Sequence, residues 1–389
     1  MTIQPVPAPG MRLVWRYAAA SILGIVPQGM MMPLIAVELA ARGHSSTAIG
    51  ATGLLLFFGV LALSPKAPAL RARWGVGRIH RAGMALWTAG TLGLAFGDGL
   101  LWWYAMCLVL GVAAALIWGV AEGLIAEYAP AERLGRTTGL YQTLIGVAVA
   151  SGPFIPGAFG LSYADAGIVA AALLAVSWLP VATLRVDVSV GRAAAPMRWR
   201  TALAVSPSLA AGALLGGIFE SGVNALGPVH GLHLGFAAAA AAIVPGVIAA
   251  GSLAAQYPAG RIADRIRVLT LLIGAATILA ASGVMLAFAS AAPWLLWPAA
   301  AIWGSVGGAL YTLVMIRVGV VFRGSDVPTA TALAITAYTL GAVIGPAVAG
   351  PAMDLLPRDG LAVALVVMAL AALAPMLAEW AAERRRGRT

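Results

Sequence analysis

Residues 137–160 read TTGLYQTLIGVAVASGPFIPGAFG, and residues 329–350 read TATALAITAYTLGAVIGPAVAG. Each is an apolar run with a Gly-Pro step inside it, Gly152-Pro153 in the first and Gly345-Pro346 in the second, 193 residues apart. The offset recurs outward from this pair. Gly111 and Gly304 stand 193 apart, Pro33 and Pro228 stand 195 apart, and the turn 71–74 precedes the turn 263–266 by 192. An offset held over several elements of a 389-residue chain means two similar halves. A period this long indicates duplicated domains rather than a solenoid of short repeats.

Composition sets the solvent. Hydrophobic residues make up 61% of the chain and charged residues 10%, with a mean hydropathy of +0.94. A soluble domain carries about 25% charge, so the chain reads as a membrane protein. Apolar runs recur at about the 20 residues a helix needs to cross ~30 Å of hydrocarbon. Six spans are expected in the first half, near 17–40, 48–64, 82–97, 100–127, 137–160 and 164–184. Six more follow near 204–229, 236–257, 268–289, 294–320, 329–350 and 360–380. A transmembrane β-barrel would instead show strands of about 10 residues alternating with period 2. The first 16 residues lack the apolar core and cleavage site of a signal peptide, so the first span is expected to direct insertion.

Charge placement gives the orientation. With the N-terminus inside, 22 of the 24 Lys and Arg residues fall on one side, and Arg42 and Arg358 fall on the other. This asymmetry puts both termini in the cytoplasm, here of a bacterial inner membrane. The net charge of +10 is therefore a membrane signal and not a nucleic-acid one. The tail Arg384-Arg385-Arg386 suits anionic headgroups of the bilayer. The expected units are an N-terminal bundle (1–184), a basic cytoplasmic linker (185–200) and a C-terminal bundle with a basic tail (201–389). A monomer is expected.

Catalytic motifs are missing. The sequence has no Gly-rich phosphate loop, no His-Glu-x-x-His and no nucleophile elbow, so no enzyme activity and no cofactor is expected. The lone Cys107 excludes a disulfide framework and a cysteine metal cluster. Two similar halves in lipid point to a transporter whose site lies between the repeats. Without a nucleotide-binding domain, its energy must come from an ion gradient or from the solute itself.

The loop after the eighth span carries Gly260-x-x-x-Asp264-Arg265-x-Arg267. It resembles the loop signature of the major facilitator superfamily. Gly260 would end one helix, Asp264 would cap the next and pair with an Arg, and the short loop, Arg265 included, would latch one bundle in one state. The first-half copy, 68–75, keeps Arg73 but lacks the Asp and the first Gly. Arg73 is expected to pair with Glu122 or Glu127 instead. The Gly152-Pro153-x-x-Pro156-Gly157 stretch is similar to the family's antiporter motif, close helix packing is its blander reading, and Gly345-Pro346 is its counterpart in the second half. Residues 118–136 and 307–312 resemble the YcaD-like branch of bacterial permeases. The superfamily resemblance implies twelve membrane helices in two pseudo-symmetric six-helix bundles, and secondary transport of a small solute.

The candidate transport residues follow from the cost of polar groups in lipid. An ionisable group at the bilayer centre costs about 2.5–3.5 kcal/mol on insertion scales, so it needs a partner or a wet cavity. Glu220 lies near mid-depth of the seventh span and is the first candidate for carrying a proton. Asn224, at i+4, would share its helical face. Glu122, Gln28, Gln142, Tyr141, Tyr311 and Tyr338 are the further cavity candidates. Glu38 and Arg317 are expected to snorkel at the two membrane surfaces. His230 and His233 form an i, i+3 pair and Met30 to Met32 a sulfur run, residue types that suit copper-like ions. Three adjacent Met residues cannot share one helical face, and the His pair falls at a loop, where surface His is common. The expectation is therefore proton-coupled export, with import of a nutrient, vitamin or metal ion as the transport alternative. A non-transporting membrane scaffold or sensor is the alternative of a different class.

Overall fold

The computed structural model describes residues 10–64, 66–128, 134–184, 199–219, 224–322 and 326–386. Its helices are α1 (Met11–Ala41), α2 (Ser46–Leu63), α3 (Ala67–Trp74), α4 (Val76–Phe96), α5 (Leu100–Tyr128), α6 (Leu134–Ser151), α7 (Phe154–Phe159) and α8 (Tyr163–Ala182). In the second half come α9 (Trp199–Val205), α10 (Pro207–Gly217), α11 (Gly227–His233), α12 (Ala238–Ala263), α13 (Val268–Ala287), α14 (Leu296–Val321), α15 (Val327–Leu355) and α16 (Gly360–Arg386). No strand occurs among the described residues. In hydrocarbon every backbone N–H and C=O must be satisfied within its own segment, which is why the apolar runs become helices.

Nine helical segments among the described residues are long and apolar enough to cross a membrane. The other expected spans fall on α4, on α6 with α7, and on α10 with α11. Each has a physical reason for falling short. The first turns of α4 carry Arg78, His80 and Arg81. Gly152-Pro153 separates α6 from α7, since proline supplies no N–H to continue the ladder. In the seventh span α10 ends at Gly217 and α11 begins at Gly227 after a turn at 224–226, with residues 220–223 outside the described ones. The segment 185–198, expected as the linker, lies outside the described residues.

The internal repeat reappears as a repeated contact. A Cβ on Gly111 of α5 would stand 1.9 Å from the Leu56 carbonyl oxygen of α2. A Cβ on Gly304 of α14 would stand 1.9 Å from the Ile248 carbonyl oxygen of α12. Gly59 and Gly251 make the return contacts, 2.8 Å from Leu108 O and 2.6 Å from Ala301 O. Two helix pairs thus press backbone to backbone through glycines in matching positions. Without a hydrophobic drive between helices in lipid, such close packing supplies the cohesion.

The ends of the helices differ in chemistry. One end gathers the arginines and is called the basic end. There Arg16 donates to Pro180 O and Thr183 Oγ1, both at 2.6 Å, and Arg81 donates to Leu184 O at 2.8 Å. The bonds to Pro180 O and Leu184 O satisfy carbonyls that the end of α8 leaves open. At the opposite end α2 begins and α15 finishes, and the two run against each other as one seam between the halves. Gly350 of α15 lies so close that a Cβ would stand 2.9 Å from Thr47 Cα. A second seam joins α7 to α12, where a Cβ on Gly246 would stand 2.7 Å from the Phe154 ring.

Candidate translocation site

The candidate site is the seventh span, with α10 before residues 220–223 and α11 after them. Helix α10 ends at Gly217, and Ile218 and Phe219 continue as a short π-turn. Residues 224–226 form a turn before α11. Packing explains why the helix runs this far. Gly217 lets α10 meet α15 directly, since a Cβ there would stand 1.8 Å from the Tyr338 carbonyl oxygen. The turn beyond the break reaches the other half. A Cβ on Gly53 of α2 would stand 3.0 Å from the Ala225 methyl, and one on Gly50 would stand 3.5 Å from Leu226. The break therefore lies on the boundary between the halves, where discontinuous helices of transporters present backbone groups to a ligand.

Aromatic side chains surround the second-half wall of this break. Tyr311 of α14 and Tyr338 of α15 meet edge to face, with centroids 5.3 Å apart at 72°. The Tyr338 ring comes within 3.7 Å of a Cβ position on Gly216. Phe219, in the π-turn, meets Trp303 edge to face at 5.6 Å. The structure thus brings the sequence candidates Tyr311 and Tyr338 together beside the break.

Other candidates fare differently. Glu220 lies outside the described residues, as do the side chains of Glu122, Glu127 and Gln142. Asn224 lies in the turn 224–226, and the expected shared face with Glu220 falls on residues outside the described ones. Gln28 is buried in α1, and its Oε1 has no partner among the described residues. Gly152 is a packing residue of the first half, a Cβ there meeting Val26 O of α1 at 2.9 Å. Pro346 touches the other half, with its carbonyl 3.2 Å from a Cβ position on Gly50, and Gly345 precedes it in α15.

The loop signature also departs from expectation. Asp264 closes α12, and the cap position of α13 is held by Arg267, with no side-chain cap. Asp264 therefore does not cap the following helix. Asp264 and Arg265 are exposed, and Gly260 lies within α12. Arg73 is exposed, with its guanidinium 6.0 Å from the Trp74 ring. The histidine pair diverges. His230 is fully buried in α11 and not on a loop surface, while His233 Nδ1 lies 2.7 Å from Pro357 O.

Several polar clusters were not read from the sequence. Arg317 does not snorkel. It is 7% exposed and bonds Glu379 at 2.5 Å and Glu383 at 2.7 Å. Glu379 also accepts from Ser206 Oγ at 3.0 Å and Ser208 N at 2.7 Å, so it caps the start of α10. Arg267 bonds Glu383 at 2.6 Å. The available signal was the i, i+4 spacing of Glu379 and Glu383 on one face of α16. A cleft of about 530 Å³ beside Arg267, Arg317 and Glu383 lies wholly within the second half, so it is not the site between the halves. In the first half, buried His80 meets Tyr17 edge to face at 4.9 Å. At the opposite end Arg42 bonds Glu38 at 2.9 Å, bonds Asp98, and lies 4.8 Å over the Trp103 ring. Its hydrogen bond, with one from the Gly99 N–H, holds the Asp98 carboxyl below the usual carboxylate range.

A membrane-spanning, all-helical chain with a broken helix at the boundary of two similar halves matches one family model, Major Facilitator Superfamily, over residues 17–346. The chain belongs to the Major Facilitator Superfamily. A curated relative is similar: the "Uncharacterized MFS-type transporter YfkF" of Bacillus subtilis (strain 168), 24% identical over 339 residues. The match covers 83% of this chain and 84% of that one. Among solved structures, a mutant form of the nucleoside transporter NupG superposes with a TM-score of 0.76 at 13% identity, covering 95% of this chain and 99% of that one. A bacterial homologue of the human lysosomal transporter Spinster, inward-facing and occupied, gives 0.71 at 15%, covering 94% and 95%. At these identities the likeness shows the fold alone. As a major facilitator the chain is a membrane transporter and not an enzyme, which sets aside the scaffold or sensor alternative.

Proposed function

We propose that this transporter moves a small solute by alternating access, with the site at the break in the seventh span and the basic end in the cytoplasm. One observation carries the reading: α10 stops at Gly217 beside the Tyr311–Tyr338 pair, while Ala225 and Leu226 beyond the break touch α2 of the other half. A ligand held there contacts both halves, so rocking of one against the other changes which side it reaches. The two phenol rings give the site an aromatic wall for an amphiphilic solute. Glu220, an ionisable residue in the apolar seventh span, is the proposed proton carrier. Proton-driven export is the preferred direction, supported by the Gly152-Pro153 step that resembles the antiporter motif. The exposed loop at Asp264 and Arg265, with Arg73 in the other half, is the proposed cytoplasmic gate.

The test compares intracellular small molecules and metal ions in cells making the intact chain and cells making Glu220→Gln. A solute depleted only by the intact chain supports export and names the cargo. A solute accumulated only by the intact chain replaces export with import. Identical pools in the two strains, with the solute still moved, remove Glu220 from the mechanism.

A further inference from the structure

The first turn of a helix has four N–H groups without intrahelical partners. In α2 three of them, on Ser46, Thr47 and Ala48, have partners outside the helical ladder. Ala48 N donates to the Ser45 side chain at 3.2 Å. The other two leave the half altogether. Ser46 N donates to Asp354 Oδ1 at 2.5 Å, and Thr47 N donates to Asp354 Oδ2 at 3.0 Å. Asp354 is the penultimate residue of α15, which belongs to the second half. Two of these three first-turn donors are therefore capped by the opposite bundle.

This arrangement has two consistent supports. A carboxylate with both oxygens on first-turn N–H groups also faces the positive end of the α2 dipole. The backbones beneath it are in contact through glycines, Gly350 against Thr47 and Gly50 against Pro346 O. The carboxylate bonds exist only while these ends are together. When the ends part, water must take over both donors and the carboxylate.

We infer that Asp354 is a positioning residue of the transport cycle: it caps α2 across the seam and holds the end of the molecule opposite the basic end shut. The inference rests on the alternating-access reading. It needs no contact between Asp354 and the solute. Because Asp354 is solvent-exposed, its bonds compete with water, so the latch biases the two-state equilibrium and does not lock it. Loss of two charge-assisted bonds at an exposed position is expected to move the closed-to-open ratio at this end by about tenfold.

The experiment is double electron–electron resonance on the full chain. Spin labels at Ala41→Cys and Arg358→Cys report the opposite end, and labels at Arg78→Cys and Arg385→Cys report the basic end; all four sites are exposed. The native Cys107 is fully buried and is replaced by Ser. In Asp354→Ala the opposite-end distances should gain a longer population, and the basic-end distances a shorter one, with Asp354→Glu restoring part of the closed population. Gly350→Ala should shift the distances the same way by steric means, without touching the carboxylate. Distances in Asp354→Ala and Asp354→Asn identical to the parent, while the parent itself shows two reciprocal populations, overturn the latch and leave alternating access standing. Opening at the opposite end with no change at the basic end supports the latch and overturns the reciprocal motion on which the transport reading depends.

Discussion

Replacing Glu379 by Gln should destabilise the second half far more than replacing Glu383 by Gln. Both carboxylates bond the same Arg317 Nη2, at 2.5 Å and 2.7 Å. Their surroundings differ. The Glu379 and Arg317 side chains are each 8% exposed, whereas Glu383 is 29% exposed. Removing one partner of a buried ion pair costs about 3–5 kcal/mol, because the other charge stays buried and uncompensated. Glu383 still faces Arg317 in Glu379→Gln, which reduces the expected loss to roughly 2–3 kcal/mol. Glu379 also caps α10 through Ser208 N, a contact that Gln keeps in part, so Glu379→Ala should lose about 1 kcal/mol more. Glu383→Gln leaves the buried pair intact and should cost about 0–1 kcal/mol. For a unit of this size each kcal/mol moves Tm by about 2–4 °C, so Glu379→Gln should lower it by roughly 4–12 °C and Glu383→Gln by about 4 °C at most. Thermal unfolding of the purified protein in detergent, followed by tryptophan fluorescence, reads both. Equal shifts for the two variants, or a Glu379→Gln shift under about 2 °C, would refute the assignment of Glu379 as the buried partner.

Other expectations follow from the same geometry. Gly111→Ala and Gly304→Ala each push a methyl to 1.9 Å from a carbonyl oxygen; both should lower Tm or abolish folded yield, with an overpacking cost of about 1–3 kcal/mol, and a variant of normal Tm would show that these helices separate easily. Asp98, whose pKa is lowered by Arg42 and the Gly99 N–H, contributes stability that is present above the ordinary carboxylate range and is lost as pH falls through its depressed value. Acid unfolding of Asp98→Asn should therefore depend less steeply on pH than that of the parent, and matching profiles would remove Asp98 from the account. Tyr338→Ala should weaken solute binding at the break while Tyr338→Phe keeps most of it, as measured by KM once a solute is identified; an unchanged KM in Tyr338→Ala would move the site elsewhere.

The membrane helices were legible in the sequence because their cause is local. Length and apolarity decide whether a segment can satisfy its backbone in lipid, and both are read along the chain. The repeat was legible for the same reason that Gly111 and Gly304 carry the same packing contact. Less legible was the break after Gly217, because glycines and Pro228 in an apolar run read equally well as a kinked continuous helix. Arg317 was expected to reach water because its partners, Glu379 and Glu383, lie 62 and 66 residues away. The bonds from α2 to Asp354 span 308 and 307 residues. No spacing rule reaches that far, so the polar contacts that fix one helix against another had to come from the structure. Tyr311 and Tyr338 were readable as polar aromatics in apolar spans, but their meeting beside the break was not.

The central claim is gradient-driven transport through the broken seventh helix, and its most direct test is uphill flux. The solute named by the cell comparison would be followed into or out of vesicles carrying the intact chain or Glu220→Gln, under an imposed proton gradient. The account predicts concentration against the solute gradient by the intact chain, collapse of that movement when a protonophore is added, and only downhill equilibration by Glu220→Gln. Uphill movement by Glu220→Gln at the intact rate, or uphill movement that survives the protonophore, would contradict it.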